Sequence, residues 1–420
     1  MENDMKTQKR NTFSRNIILL GIVSFLTDVS SEMMMPLLPF FLATMGGGVF
    51  AVGLISGVGD AVASLLKVFS GHWSDRSGRK KDFVLGGYGI SVISKIGIAL
   101  SSLWWQIGIF YPVERIGKGI RTAPRDALIA DSCDATDSGK WFGVHRAMDT
   151  AGAIAGSALA FVFLWIFGFS YRTIFLIAVL PAAASLLPLL LVKERRGCKG
   201  SRLKLSLGIK SLPGSLLGFI AAATVFSIGN FSYMFFILAA REALFGFEFP
   251  LSPTALAILL YVFFNMVYSA LAIPFGKLSD RLGKKRVIGA GYATFVISCG
   301  LFAATLIAGS ASLAVTMTLL CVGFTAYGAF YAMMEGNQRA LAADLAPKEL
   351  RGTALGTFHT AIGIATIPAG LAAGLLWDNV APQAAFIYGA LTALTALAVF
   401  FAVNAKYRDK TQKTVRIIIS

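Results

Sequence analysis

Charge is scarce in this chain: Lys, Arg, Asp and Glu make up 14% of its 420 residues, against about a quarter in an ordinary soluble domain. With 56% hydrophobic residues and a mean hydropathy of +0.69, that scarcity excludes a soluble globular protein. Cysteine is nearly absent. Cys133, Cys198, Cys299 and Cys321 show no paired spacing, so neither a disulfide framework nor a thiolate metal site is indicated. The three histidines, His72, His145 and His359, form no HExxH-type pattern, and no GK[ST] phosphate loop is present. Metal-dependent hydrolysis and ATP-driven transport therefore find no support, and no enzyme activity, metal or cofactor is expected. The hydrophobic runs are long and do not alternate with polar residues, which excludes a small β-barrel.

What remains is an all-α integral membrane protein. Apolar stretches fall at about 16–42, 50–70, 83–102, 105–128, 141–168, 172–192, 214–240, 253–275, 287–308, 311–341, 353–377 and 383–404, each near the roughly 20 residues that a spanning helix needs. The net charge of +16 would suggest nucleic acid in a soluble protein. Its distribution assigns it to topology instead, because basic loops stay cytoplasmic, and no nucleic-acid partner is expected. Lys6 to Arg15, Arg76 to Lys81, Lys140, Lys193 to Lys210, Lys277 to Arg286, Lys348, Arg351 and the tail from Lys406 all fall on one side; Arg172 and Arg241 fall on the other. This pattern places the chain in the plasma (inner) membrane, multi-pass, with both termini cytoplasmic. The run from Asn16 is too long for a signal sequence and has no small-residue cleavage site, so the first span is expected to be retained.

The two halves look duplicated. Gly71, Asp75, Arg76, Gly78, Arg79 and Lys80 after span 2 recur 205 residues on, after span 8, as Gly276, Asp280, Arg281, Gly283, Lys284 and Lys285. A second echo, 213 residues apart, sets Ala127 to Asp131 against Ala340 to Asp344. The expected organisation is a tail (1–15), a six-helix bundle (16–192), a linker (193–213), a second six-helix bundle (214–404) and a tail (405–420), twelve transmembrane helices in two pseudo-repeats. Parallel repeats of this kind place a substrate site at their interface. In the loop motif the first Gly permits close helix contact, the second supplies a tight turn, and Asp suits a helix N-terminus.

At these residues the chain resembles the major facilitator superfamily (MFS), whose signature loop is present in both copies. Arg115, Lys118 and Gly119 in span 4 are similar to the Arg-x-x-Gln-Gly pattern of proton-coupled members, with Lys118 where the amide stands. Gly152, Gly156 and Ser157 in span 5 partly match the Gly-x-x-x-Gly-Pro motif of the drug antiporters, with Ser157 in place of Pro. The resemblance implies a twelve-helix fold, functional as a monomer, with a central cavity open alternately to each side, and secondary transport of a small molecule driven by a gradient. It also implies a cytoplasmic gate in which Asp75 and Arg79 meet the second half near the start of span 11.

Charges inside the spans mark the functional residues, since each costs about 2.5–3.5 kcal/mol at a helix centre. All but Glu335 and Arg339 lie in the first half. Asp28 and Glu32 share one face of span 1. Two carboxylates that close in a low dielectric make a candidate proton carrier; the alternative is permanent neutralisation by an Arg of span 4. Glu114, Lys118, Arg121 and Arg125 form a single stripe on span 4, with Arg115 on the adjacent face. Asp28, Glu32, Glu114 and Arg115 are the candidates for proton coupling. Lys118, Arg121, Glu335 and His359 are the candidates for the substrate cavity. Asp126 is a candidate acceptor for Arg76 or Arg79, joining Gly71, Asp75, Gly78, Gly276, Asp280, Arg281 and Gly283 in the gate. Lys67 and Lys95 are expected to pair with Asp60 and another acid, Arg146 with Asp149, and Glu335 with Arg339. The aromatic residues Phe40, Phe41, Phe231, Tyr233, Phe235, Phe236, Tyr261, Phe263 and Phe264 could line an aromatic cavity, but with 33 Phe in the chain the default expectation is that they face lipid.

Two functions compete. One is a proton-coupled exporter of amphipathic small molecules, resting on spans 1, 4 and 5. The other is a carrier of an organic anion or anionic chelate, bound by the basic stripe of span 4.

Overall fold

The computed structural model describes residues 2–133, 138–194, 212–309, 312–347 and 350–419, with the side chains of 2–14, 75, 138–140 and 407–419 outside that description. Among the described residues every regular element is a helix. In the first half these are α1 (Glu2–Met34), α2 (Leu38–Thr44), α3 (Val49–Ser77), α4 (Lys80–Leu100), α5 (Trp104–Asp131), α6 (Ser138–Trp165), α7 (Tyr171–Ala184) and α8 (Leu186–Leu191). In the second half they are α9 (Gly214–Gly229), α10 (Met234–Leu244), α11 (Pro253–Leu282), α12 (Lys284–Ala308), α13 (Leu313–Asp344), α14 (Arg351–Asn379) and α15 (Pro382–Ile419).

Three spans are interrupted, each for a local reason. Pro36 lies between α1 and α2, and Pro188 cannot donate to residue 184, where α7 gives way to α8. Between α9 and α10 the chain leaves the helix at 230–233. There the Tyr388 hydroxyl donates to the Ile228 carbonyl at 2.6 Å, which satisfies a backbone group that no water would reach in hydrocarbon. Among the described residues, eleven helical stretches are long and apolar enough to cross a membrane. The remaining long helix, α5, spans 28 residues and falls short in composition alone, because Glu114, Arg115, Lys118, Arg121, Arg125 and Asp126 all lie on it.

The described residues divide into two compact units. One holds the chain up to Glu194 together with Phe249–Asn265; the other holds the rest. In the first unit α5 packs on α3 and α4, and α1 packs on α6 and α7. The Gly152/Gly156 pair carries the α1–α6 contact: a Cβ at either would strike the backbone of α1, at Phe25 and Val29 respectively. This is small-residue helix packing, in which backbones approach because side chains are missing.

The second unit is held by rings. Phe226 stacks on Tyr292 at 4.3 Å and Phe236 on Tyr327 at 3.9 Å, with Phe295, Phe302, Phe330 and Phe386 around them. The expectation that the aromatic residues face lipid fails here. Phe40, Phe41, Phe231, Phe235, Phe236, Tyr261 and Phe264 are buried, and Phe263 alone of the group is exposed, at 36%. Ring edges and faces find each other in the core, which adds to their burial.

The repeated loop turns as the duplication requires. Gly78 and Gly283 both adopt positive φ, 66° and 91°, and their N–H groups donate to the Ser74 and Ser279 carbonyls, each at 3.0 Å. The reason given for the first glycine holds in one copy only. A Cβ at Gly71 would lie 3.3 Å from that of Ala123, whereas Gly276 has open space.

Gly156→Leu is expected to destabilise the protein by about 1–3 kcal/mol through overpacking against α1. Gly300→Ala, in open space on α12, is expected to leave stability unchanged or slightly raised. Thermal unfolding in detergent checks both; equal melting temperatures for the two variants contradict the packing role.

Candidate functional site

The charged side chains of α5 find partners on α5 itself and on the helices beside it, while Glu114 Oε2 is buried with no hydrogen-bond partner among the described residues. Glu114 is 1% exposed and sits between Arg115, 3.8 Å from its Nε, and Arg121, 4.0 Å from its Nη2. Arg115 also lies 3.8 Å from Asp60 of α3, donates to the Tyr111 hydroxyl at 2.5 Å, and stands 4.7 Å from the Tyr111 ring centre. Arg121 is 5% exposed; it donates to Ser91 of α4 and lies 4.5 Å over the ring of Tyr88. Hydroxyls and ring faces thus complete what one carboxylate cannot.

Lys95 departs from the sequence expectation. It is fully buried, and its ammonium donates to Ser30 at 2.8 Å and Ser31 at 3.0 Å, both on α1, instead of to an acid. A small hydroxyl suits the α1–α4 contact because it accepts a hydrogen bond without adding a second desolvated charge.

A second group lies along the α1–α6 contact. Asp28 of α1 and Asp149 of α6 lie close enough for each to act on the other, and Arg146 donates to Asp149 at 3.1 Å. One turn along both helices, Ser24 Oγ meets His145 Nε2 at 2.9 Å, and Arg125 donates to the same Ser24 at 3.0 Å. Glu32, one turn the other way, accepts the Tyr261 hydroxyl at 2.8 Å, and Asn265 reaches Ser157 of α6 at 3.5 Å. Lys118 is exposed, and its charge acts on both Asp28 and Glu32.

The sequence candidates are thus distributed unevenly. Asp28, Glu32, Glu114, Arg115, Lys118 and Arg121 gather in the first unit, with Arg121 enclosed by α4 and α5. Glu335 and His359 lie in the second. Glu335 pairs with Arg339 at 3.1 Å and accepts from Tyr268, while His359 packs edge-on to Phe358 at 5.4 Å.

In the repeated loops, the carboxylate expected to receive Arg76 or Arg79 is taken: Asp126 bonds its neighbour Arg125 at 3.0 Å. Adjacency wins because the guanidinium folds back on the same turn. Arg76, Arg79, Asp280 and Arg281 are exposed, and the Asp75 side chain lies outside the described residues. The loop is secured by Lys80, which pairs with Asp131 at 2.6 Å, and by Lys284, which pairs with Asp344. Glu194 accepts the backbone N–H groups of Lys80 and Lys81, at 2.6 and 3.2 Å, and so caps α4.

Sequence reasoning passed over Ser24, gave His145 no role, and placed Tyr261 among the aromatic residues without its bond to Glu32. One signal was available: Ser24/Asp28 and His145/Asp149 both recur at a four-residue spacing, which puts each pair on one helix face.

The chain matches the Major Facilitator Superfamily over residues 20–268 and 217–417. It is 40% identical over 396 residues to an uncharacterized MFS-type transporter of Methanocaldococcus jannaschii, covering 93% of this chain and 96% of that one. It is 27% identical over 350 residues to multidrug resistance protein 2 of Bacillus subtilis, covering 78% and 83%. The structure of the nucleoside transporter NupG superposes with a TM-score of 0.78 at 14% identity, covering 92% and 99%, a likeness of fold.

Glu114→Ala is expected to cost about 3–5 kcal/mol, because it removes the buried carboxylate set between two guanidinium groups. Lys80→Ala, at a pair whose side chains are 18% and 51% exposed, is expected to cost less than about 1 kcal/mol. Thermal melts of the two variants should therefore separate widely; similar losses would contradict this division of the charges.

Proposed function

This chain belongs to the major facilitator superfamily and is a secondary transporter of small molecules, not an enzyme; from that premise we propose that it is a proton-coupled antiporter exporting amphipathic small molecules. The observation that carries the reading is the group of acids along the α1–α6 contact: Asp28 and Glu32 share one face of α1, Glu32 accepts the Tyr261 hydroxyl at 2.8 Å, and Asp149 of α6 holds Arg146 at 3.1 Å. Carboxylates this close in a low dielectric do not all stay cheaply ionised, so one of them, Asp28 in this reading, holds a proton. That proton is held inside an apolar bundle beside Glu32 and Lys118, where an arriving cationic substrate competes with it for the same negative charge. Arg115 and Glu114, one helix away, set the field in which the exchange occurs.

The anion-carrier reading needs the basic stripe of α5 to meet substrate. Arg121 is committed to Ser91, Glu114 and Tyr88, which leaves Lys118 as the stripe's exposed member. The name of the Bacillus relative agrees with export of amphipathic compounds. The gate in this reading consists of the two repeated loops, with Asp75, Arg76, Arg79, Asp280 and Arg281 breaking and forming contacts as each side opens. The basic loops orient the protein in the plasma membrane with both termini cytoplasmic.

In proteoliposomes, a pH gradient is expected to drive concentration of tetraphenylphosphonium by the wild type. Asp28→Asn is expected to retain tetraphenylphosphonium exchange but lose gradient-driven accumulation. A wild type indifferent to the pH gradient would end the proton assignment, and stabilisation in a melting screen by organic anions alone would favour the other carrier.

For topology, single cysteines introduced at Lys193 and Arg281 are expected to react with a membrane-impermeant maleimide in inside-out vesicles and to be protected in intact cells. The opposite pattern would invert the orientation.

A further inference from the structure

Two charged side chains of the second unit stand on a membrane-crossing helix and are still open. Glu335 and Arg339 lie on α13, with side chains 32% and 41% exposed, and Glu335 is more than two turns from the end of that helix at Asp344. Exposed charge at such a depth faces a water-filled cavity and not lipid. Resting on the exporter reading above, we propose that Glu335, walled by Tyr268 and Tyr331, is a subsite of the second unit for the cationic group of the substrate, and that Arg339 fills it between substrates.

The walls come from the approach of α11 to α13. Gly328 permits it: a Cβ there would lie 2.9 Å from Val267 Cγ1 and 3.2 Å from the backbone nitrogen of Tyr268. The Tyr268 hydroxyl thereby reaches Glu335, to which it donates. Tyr331, one turn before Glu335, stands across from Tyr268 with ring centres 6.1 Å apart and planes at 72°. Behind it lie Tyr327 at 5.1 Å and Phe330 at 5.3 Å, and Tyr327 is fully buried and stacked on Phe236. The Tyr331 wall is thus backed by the ring core and keeps its place without a ligand. The flank at Gly336 is open, since that residue is exposed and a Cβ there would meet nothing within 4 Å.

This arrangement selects a cation with an apolar body. A carboxylate beside two aromatic rings attracts positive charge both directly and through the ring quadrupoles, and the half-buried tyrosines offer apolar area to the rest of the molecule. The carboxylate already holds one such group. Arg339 Nη2 donates to Glu335 Oε1 at 3.1 Å, and its Nε donates to the Glu335 backbone carbonyl at 3.0 Å. A guanidinium four residues away on the same helix and partly in water is weakly held, so an arriving cation displaces it. Tyr268 bonds the other oxygen, Oε2, and the carboxylate does not have to turn for the exchange. Glu335 belongs to a different unit from the acids of α1, so the substrate's charge has a partner besides the carboxylates assigned to the proton.

The test is equilibrium binding of radiolabelled tetraphenylphosphonium to the detergent-purified full-length protein. Glu335→Gln is expected to weaken binding about 10-fold or more. Arg339→Gln is expected to tighten it about 3-fold, because the internal occupant is gone. Tyr331→Leu is expected to weaken it about 3- to 10-fold and Tyr331→Phe to leave it unchanged, since the ring and not the hydroxyl meets the charge. An ion pair kept only for stability would respond alike to loss of either member. Wild-type binding that Glu335→Gln and Arg339→Gln both weaken, or both leave unchanged, therefore overturns the subsite while the exporter reading stands. Should Glu335→Gln fail to fold, binding in Arg339→Gln no tighter than wild type, or equal binding in Tyr331→Leu and Tyr331→Phe, overturns it equally. Binding of benzenesulfonate that is lost in Arg339→Gln and kept in Glu335→Gln makes the pair an anion site, which also overturns the proposal. A wild type that neither binds nor transports tetraphenylphosphonium defeats the exporter reading, and the subsite with it.

Discussion

A charge carried into hydrocarbon has to be answered by the protein, because the lipid offers neither dipoles nor water. The α5 helix concentrates that demand, and much of the first unit is arranged to meet it. α3 supplies Asp60, α4 supplies Ser91 and the ring of Tyr88, and α5 supplies Tyr111 and Glu114 from its own turns. Lys95 extends the network to α1 through Ser30 and Ser31. Hydroxyls do this where a further acid would only add another desolvated charge. The cost of α5 in the bilayer is thus spread over its neighbours, and it packs against both α3 and α4 at the centre of its half.

The second unit has little of this burden and solves its packing differently. Its interior is a continuous set of Phe and Tyr rings, and the Glu335, Arg339 and Tyr268 group is its main buried-edge polar contact among those described. Two halves that share a loop motif and a helix order therefore have different physical characters. One holds ionisable groups that can change state, and the other a packed core with few of them. The loop motif is common to both halves; the charged side chains inside the spans collected in one of them.

How far the sequence discloses this depends on the distance along the chain over which each contact forms. The spans follow from hydropathy, and the turn of the repeated loop follows from Gly78 and Gly283, since both are local properties. Arg146 with Asp149 and Glu335 with Arg339 are legible for the same reason, lying three and four residues apart. Lys95 with Ser30 crosses 65 residues, Ser24 with His145 121, and Tyr261 with Glu32 229. Nothing in spacing selects those partners. Glu32 has an acid four residues away that shares its face, Asp28, yet its hydrogen-bond partner is Tyr261. The wrong turn over the aromatic residues has a related cause: hydropathy reports that a ring avoids water and is silent on whether it meets lipid or another ring.

The two sequence echoes, with their different offsets of 205 and 213, find a common meaning in the fold. In each half a lysine at the first residue of one helix, Lys80 of α4 or Lys284 of α12, pairs with an aspartate at the last residue of another, Asp131 of α5 or Asp344 of α13. The aspartates are equivalent in the second echo, whereas in the first Lys80 aligns with Lys285 and Lys284 with Arg79, so the ion pair recurs one residue out of register. Such pairs, with aspartates 51% and 52% exposed, contribute little to stability, so stability does not explain their recurrence. Their value lies in being directional and easily broken. A contact that holds the turn of a loop against the end of a neighbouring helix, and yields at a cost of about 1 kcal/mol or less, suits a gate better than any buried bond could. The buried network of α5 has the opposite character, since its partners cannot separate without stranding a charge. In the alternating cycle proposed for this transporter, the first unit's charged interior moves as a block and the loop contacts at its edge do the yielding.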